Sequence, residues 1–261
     1  MQVQLLGCGT STGVPLVGCR CPVCTSSNPK NKRSRTSALL RLGSGRNVLI
    51  DASTDLRSQC LTHDVRAVDA VIFTHAHADH ILGIEDLRAF NFLYHKPIPC
   101  YGTAFTLGEI KRFYGYIFTP DPTYEGGALV QLTLHEIQQY SEFEVCGTAI
   151  KSFLLPHGKM DVTGFRIGKF GYATDCNGIP EESLNILRGV DILILDALRE
   201  EPHRTHFTIA QALEAAARIG AKKTYLTHMT HSVDYDAVMA KLPPSVELAY
   251  DGLTFEVDEA S

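Results

Sequence analysis

Short apolar runs alternate with stretches in which apolar residues return every three or four positions, and this alternation repeats in both halves of the chain. Gln2 to Leu6 reads as a first strand. Ser37 to Leu42 and Val48 to Asp51 read as two more, joined across Gly43-Ser44-Gly45 by turn chemistry that suits a hairpin. Val71, Ile72 and Phe73 form a further strand whose β-branched and aromatic residues suit a position covered on both faces. Helical spacing marks Asp55 to His63, Ile84 to Phe92 and about Phe105 to Tyr114, whereas Pro97 and Pro99 interrupt the pattern before Cys100-Tyr101. Pro120, Pro122, Gly126 and Gly127 mark a loop. In the second half, Thr148 to Leu155, Gly171 to Thr174, Val190 to Leu195 and Tyr225 to Thr227 read as strands. Thr208 is a good N-cap for a helix over Ile209 to Ile219, and Ser232 for one over Val233 to Leu242 that Pro243-Pro244 ends. Val246 to Val257 closes the chain with a hairpin around Asp251-Gly252. The pattern indicates the α/β class, and 261 residues with 44% hydrophobic content are ample for one domain over 1–261.

Polar chemistry collects where strands stop. The apolar run at Val71 passes straight into Thr74-His75-Ala76-His77-Ala78-Asp79-His80. Residues two apart in an extended segment share a face, so His75 and His77 can grip one ion while Asp79 and His80, where the chain turns, face another. Such ligand-spaced clustering exceeds what composition supplies by accident. His157, Asp175 and His228 also follow apolar runs, and each taken singly reads as a capping or hydrogen-bonding residue rather than a ligand.

Composition narrows the partners. A net charge of -5 gives no global attraction for a phosphate backbone, so long nucleic acid would need a local basic patch. No apolar stretch is long enough to span a bilayer, and the first residues lack a charged and then apolar leader, so a soluble cytoplasmic protein is expected, with no membrane partner. A homodimer is compatible with these features. Of eight cysteines, Cys19, Cys21 and Cys24 are packed onto one short loop, a grouping more typical of metal binding than of disulfides. Lys30, Lys32, Arg33, Arg35, Arg41 and Arg46 concentrate positive charge, either as a solvated face or, at Arg33 or Arg35, as a contact for substrate phosphate. The glycine-rich loop Gly7 to Pro15 is either a tight turn or an anion-holding loop.

The run Thr74 to His80 resembles the H-x-H-x-D-H signature of the metallo-β-lactamase superfamily, and the resemblance extends over nearly the whole chain. It implies an αββα sandwich with ligands on loops along one edge. Histidine at the position of His77 is typical of hydrolases, where the redox branch usually has glutamate. By this resemblance His75, His77 and His157 hold one divalent ion, zinc or manganese, Asp79, His80 and His228 hold a second, and Asp175 bridges them. Asp51 would be mainly structural. The C-x-C-x-x-C loop, with His231 three residues after His228, resembles the structural zinc site of PhnP-like phosphodiesterases, with Cys19, Cys21, Cys24 and His231 as ligands. The glycine-rich loop resembles one bordering the active site in the tRNase Z and PhnP branch.

In those relatives a non-ligand histidine ahead of a helix assists leaving-group departure, and His206 matches that place better than His203. The resemblance thus implies a dinuclear phosphodiesterase with Asp79 and His206 as catalytic residues, acting on a small phosphodiester or nucleotide-like substrate, cyclic ribose phosphates among them. Two ions side by side can stabilise both entering and leaving oxygens of a phosphoryl displacement. The chain shows no long basic, glycine-rich arm of the kind with which tRNase Z relatives bind tRNA, which makes long nucleic acid an unlikely substrate. A tRNase Z-like endoribonuclease and a metal-dependent thioester or lactone hydrolase remain the alternatives on sequence.

Overall fold

The structure, a computed structural model, describes residues 1–119, 123 and 125–259. Pro120 and Pro122 of the expected loop lie outside the described residues. The strands are β1 (Gln2–Gly7), β2 (Ser37–Arg41), β3 (Asn47–Ile50), β4 (Ala70–Ile72), β5 (Ile98–Gly102), β6 (Leu132–Glu136), β7 (Glu142–Val145), β8 (Thr148–His157), β9 (Met160–Ile167), β10 (Phe170–Ala173), β11 (Ile192–Asp196), β12 (Lys223–Thr227), β13 (Val246–Leu248) and β14 (Thr254–Glu256). They form two seven-stranded sheets, ordered β14-β1-β2-β3-β4-β5-β6 and β13-β12-β11-β10-β9-β8-β7. Helices flank them, giving the αββα sandwich of the metallo-β-lactamase fold.

Strand alternation explains the core. Val48, Ile50, Ala70 and Ile72 belong to one apolar cluster with Phe153, Phe165, Leu193 and Leu195 of the second sheet. Their neighbours Leu49, Val71 and Phe73 belong to another with Leu56, Ile81, Ile84 and Leu87 from helical segments. Both faces of β4 are therefore covered, which is why its sequence is continuously apolar instead of alternating. Strands β3 to β6 run parallel, as do β10 to β13. Parallel order brings the carboxyl ends of β3, β4, β10, β11 and β12 together, the edge where open α/β sheets usually bind ligands.

Three expectations need correction. Val246 to Val257 is no hairpin: β13 pairs with β12 in one sheet, whereas β14 pairs with β1 in the other. The Asp251 carboxylate accepts from Cys8 N at 3.0 Å and Ser34 N at 2.6 Å, which draws the Asp-Gly turn across the sandwich. The final helix is Tyr235–Met239, shorter than expected and capped by Asp234, whose side chain accepts from Ala237 N, and not by Ser232. Arg33 is buried and gives its guanidinium to Thr230 O, Val233 O and the Asn31 side chain, so it braces the loop ahead of that helix and cannot meet a substrate phosphate. Strands β6, β7 and β9 and the helix Glu181–Leu187 had no counterpart in the sequence reading.

The turn that carries the central histidines is docked in part by backbone hydrogen bonds. After β4, His77 precedes a single helical turn, Ala78–Ile81, where a loop was expected. Ala52 N donates to His80 O at 2.8 Å and Gly83 N to Ala52 O at 2.9 Å, clamping this turn to the segment after β3. A Cβ on Gly83 would run into the Ser53 carbonyl oxygen. Gly83→Ala is therefore expected to destabilise the protein by about 1–3 kcal/mol, the usual range for overpacking. A lower urea midpoint checks this, and an unchanged midpoint would show that the backbone after β3 gives way.

Candidate active site

Three polar residues of the site, Asp51, Asp175 and His228, sit just past apolar strands and take left-handed backbone with φ of 60°, 58° and 62°. For residues other than glycine this conformation is uncommon and costs energy, and it turns the side chain sharply off the strand direction. His75 and His77 come off β4, Asp79 and His80 from the helical turn, His157 from the end of β8, Asp175 after β10 and His228 after β12. His75, His77, His157 and Asp175 bring one donor atom each to within 4.8 Å of one another, and so do Asp79, His80, Asp175 and His228. Asp175 stands in both groups.

Hydrogen bonds on the far side of the rings aim the nitrogens inward. His80 Nδ1 meets Asp51 Oδ2 at 2.7 Å, and that carboxylate is held in turn by Thr74 N and Thr74 Oγ1, both at 2.8 Å. His157 Nδ1 donates to Thr205 O at 2.9 Å, and His75 Nδ1 lies 3.0 Å from Thr74 Oγ1. A partner on one ring nitrogen leaves the other free to ligate. Accordingly Asp175 Oδ2 is 3.6 Å from His75 Nε2, 3.4 Å from His80 Nε2 and 3.3 Å from His228 Nε2. The Nε2 atoms of His75, His80 and His228 are buried and make no hydrogen bond. Orphaned buried polar atoms are rare in native structures, and a cation between these nitrogens and the two carboxylates would resolve them all. The donor set thus fits divalent ions.

Electrostatics agrees with that fit. Burial disfavours the charged forms of Asp79 and Asp175, yet the surrounding imidazoles outweigh it and hold both carboxyls far below their usual range. Burial likewise opposes protonation of His80 and His228, and the carboxylates overcome it and draw both upward. His75, His77 and His157 are pushed down, chiefly by burial, and so present the neutral rings that metals bind. The pocket is an anion that demands positive charge.

His206 stands beside this cluster. Its ring stacks on His228 with centroids 4.7 Å apart, and its Nδ1 lies 3.0 Å from Asp196 Oδ1. Asp196 also accepts from Asp175 N at 3.1 Å and Phe207 N at 2.9 Å, so one buried carboxylate fixes His206 and the Asp175 backbone together. Asp196, His206 and His228 come close enough to be read as a third ligand group, but Asp196 is already occupied as an acceptor on both oxygens. It is better described as an orienting base for His206.

The thiol loop gathers separately. Cys19, Cys21, Cys24 and His231 bring their donor atoms within 4.8 Å, with His231 Nδ1 3.5 Å from Cys19 Sγ and 3.4 Å from Cys21 Sγ. The bond to His231, helped by Cys24 N, lowers the Cys21 thiol to about 6. Three soft sulfurs and one imidazole are a tetrahedral zinc donor set.

Comparison with known proteins decides the family. Residues 46–229 match the family described as Beta-lactamase superfamily domain. The chain belongs to this superfamily. It has the metallo-β-lactamase fold. It is 36% identical to the crystal structure of a new diphosphatase from the PhnP family, with a TM-score of 0.92 over 99% of this chain and 98% of that one. An octanoyltransferase of Porphyromonas gingivalis is 35% identical over 99% of this chain, but the chain spans 52% of that relative's length. Zinc-bound PqqB from Methylobacterium extorquens, at 20% identity and TM-score 0.79 over 98% of this chain and 100% of that one, shares the fold.

Every residue singled out as a ligand falls either in the histidine–aspartate cluster or in the thiol cluster. The roles of Thr74 and Thr205 escaped the sequence reading, since a hydroxyl and a carbonyl carry no motif; the near-repeat of a strand ending in aspartate, at Asp51 and Asp196, was the available signal. Removing the orienting carboxylate with Asp51→Asn should weaken metal binding at the His80 group by about 10- to 100-fold. Competition with a chelator, followed by metal analysis, measures this, and unchanged retention would free Asp51 of the role. Cys21→Ser should lower zinc content and thermal stability while sparing metal held by the histidine groups. Equal loss from both places would show that the two sites are not independent.

Proposed function

We propose that this protein cleaves small phosphodiesters using divalent ions, zinc or manganese, held by His75, His77, His157 and Asp175 on one side and by Asp79, His80, Asp175 and His228 on the other. A structural zinc would be held by Cys19, Cys21, Cys24 and His231. Such ions supply Lewis acidity, lowering the pKa of a water and neutralising charge on phosphoryl oxygens. The carrying observation is His206, fixed by Asp196 at 3.0 Å and packed against both His157 and His228, yet with neither donor group needing it as a ligand. With Nδ1 committed to Asp196, a protonated His206 offers Nε2–H to the departing oxygen. Asp79 faces His80 and His228 and completes the anionic wall.

The PhnP-family relative is described as a diphosphatase, and a phosphoric anhydride is broken by the same displacement at phosphorus as a phosphodiester. Diphosphate-bridged and ribose phosphodiesters, cyclic ones included, therefore belong in the substrate class. The likeness to human short-form tRNase Z, at 20% identity, extends to the fold alone, and the net charge of -5 weighs against long RNA. The clustered thiols suit a reducing compartment, and we assign the protein to the cytoplasm.

The octanoyltransferase relative favours a second reading, hydrolysis of an acyl thioester. Against it, Leu16 and Leu198 are the two aliphatic residues among those lining the cavity beside His206, poor cover for an eight-carbon chain. A panel of an alkyl phosphodiester, a diphosphate diester, precursor tRNA and an octanoyl thioester, at one metal loading, separates these readings. Turnover of the small diesters with little of the others is expected, and fast tRNA or thioester cleavage without diesterase activity would replace the proposal. His206→Ala should slow an alkyl diester by about 10²- to 10⁴-fold. An activated nitrophenyl diester, whose leaving group needs no proton, should lose far less, with metal content unchanged. Equal losses for both would remove the general-acid role.

A further inference from the structure

His203 was set aside in favour of His206, yet the structure gives it a defined place. The loop between them is pinned at every residue: Asn177 donates to Arg204 O at 2.8 Å, His157 Nδ1 to Thr205 O at 2.9 Å, and Asp196 accepts from Phe207 N. Gly158, with φ of +68°, lies so near Thr205 that a Cβ there would strike the Thr205 methyl group. Arg199 ties down the start of the loop by donating to Glu201 O and Pro202 O. This rigid loop holds the exposed His203 ring 5.2 Å from that of His206, centroid to centroid. Thr205 settles the tautomer. Its N–H faces His203 Nδ1 at 3.4 Å and its hydroxyl lies 3.2 Å from the same atom. Nδ1 is thus the acceptor, and the ring proton resides on Nε2.

Both histidines wall a cavity of about 340 Å³, whose other sides include Ser11, Thr12, Arg199 and Ser232. That volume lies within the range of small-ligand sites, and the lining interleaves serine and threonine side chains with apolar surface. His206 thus borders both the histidine–aspartate cluster, through His157 and His228, and this space.

We propose that the cavity is the leaving-group pocket and that His203 Nε2–H donates a hydrogen bond to an oxygen of a hydroxylated, sugar-sized leaving group, setting specificity on that side of the scissile bond. The inference rests on the phosphodiesterase reading. His203 is then a specificity residue that contacts substrate, and it takes no proton in the reaction. Ser11 and Thr12, brought alongside by the glycine-rich first loop, supply further hydroxyls to the same group.

The test uses two monoesters of phenylphosphonic acid, one of methanol and one of ribose through its 5-oxygen. The carbon–phosphorus bond does not hydrolyse, so each compound has one possible leaving group. His203→Ala should raise KM for the ribosyl ester about tenfold, the worth of one hydrogen bond to a neutral partner. The methyl ester should be hydrolysed as by the wild type, and the kcat pH profile should stay unchanged. His203→Gln, whose amide nitrogen can reach the place of Nε2, should recover most of the loss. Equal effects on both esters, an effect on kcat alone, or no effect would overturn the assignment. If the wild type cleaves neither ester, the phosphodiesterase reading fails separately. Titration with ribose 5-phosphate, followed through the His203 ring protons of the wild type by NMR, then decides the pocket: a saturable shift supports it, and no shift overturns it.

Discussion

Two buried carboxylates, Asp79 and Asp175, set the terms for the rest of the molecule. A carboxylate sealed from water is costly unless its charge is answered, and here the answer comes from imidazoles arriving on three different chain segments. No single element can supply it. The two sheets are needed because His75, His77, Asp79 and His80 come from the end of one and His157, Asp175 and His228 from the other. The metal chemistry and the closure of the sandwich are in this sense one problem.

The solution is repeated in each half. A parallel strand ends in an aspartate that accepts from backbone and orients an imidazole: Asp51 after β3 serves His80, and Asp196 ending β11 serves His206. The outcomes differ because the imidazoles face different surroundings. His80 faces the Asp79 and Asp175 carboxylates, whereas His206 packs against His157 and borders the cavity it shares with His203.

The loop from His228 to Asp234 links these centres to the thiol cluster. His228 and His231 sit at its start, while Arg33, buried among its carbonyls, keeps it in place from below. An arginine in that position stabilises geometry at two sites while touching neither donor group, and a single chain segment ends up shared between structural and reactive roles.

What the residues determined by themselves was local: the covered strand at Val71 to Phe73, the helix Ile209–Ile219 with its Thr208 cap, the H-x-H-x-D-H run and the spacing of the three thiols. These follow from periodicity and from ligand chemistry over a few positions, which short-range physics specifies well. Long-range pairing was another matter. Asp251-Gly252 is as good a hairpin turn as Gly43-Ser44-Gly45, and the first crosses between sheets only because Asp251 is engaged by Cys8 and Ser34, more than two hundred residues away. Arg33 looked like a surface cation until Thr230 O and Val233 O, from a distant segment, joined the nearby Asn31 side chain in enclosing it. The edge strands β6 and β7 have weak patterns, since exposure on one side removes the apolar signal. His203 gains its tautomer and its neighbours from Thr205 and from the cavity, neither of which a sequence displays. Donor identity is a property of residues, whereas the direction in which each donor points depends on which chain segments the sandwich brings into contact.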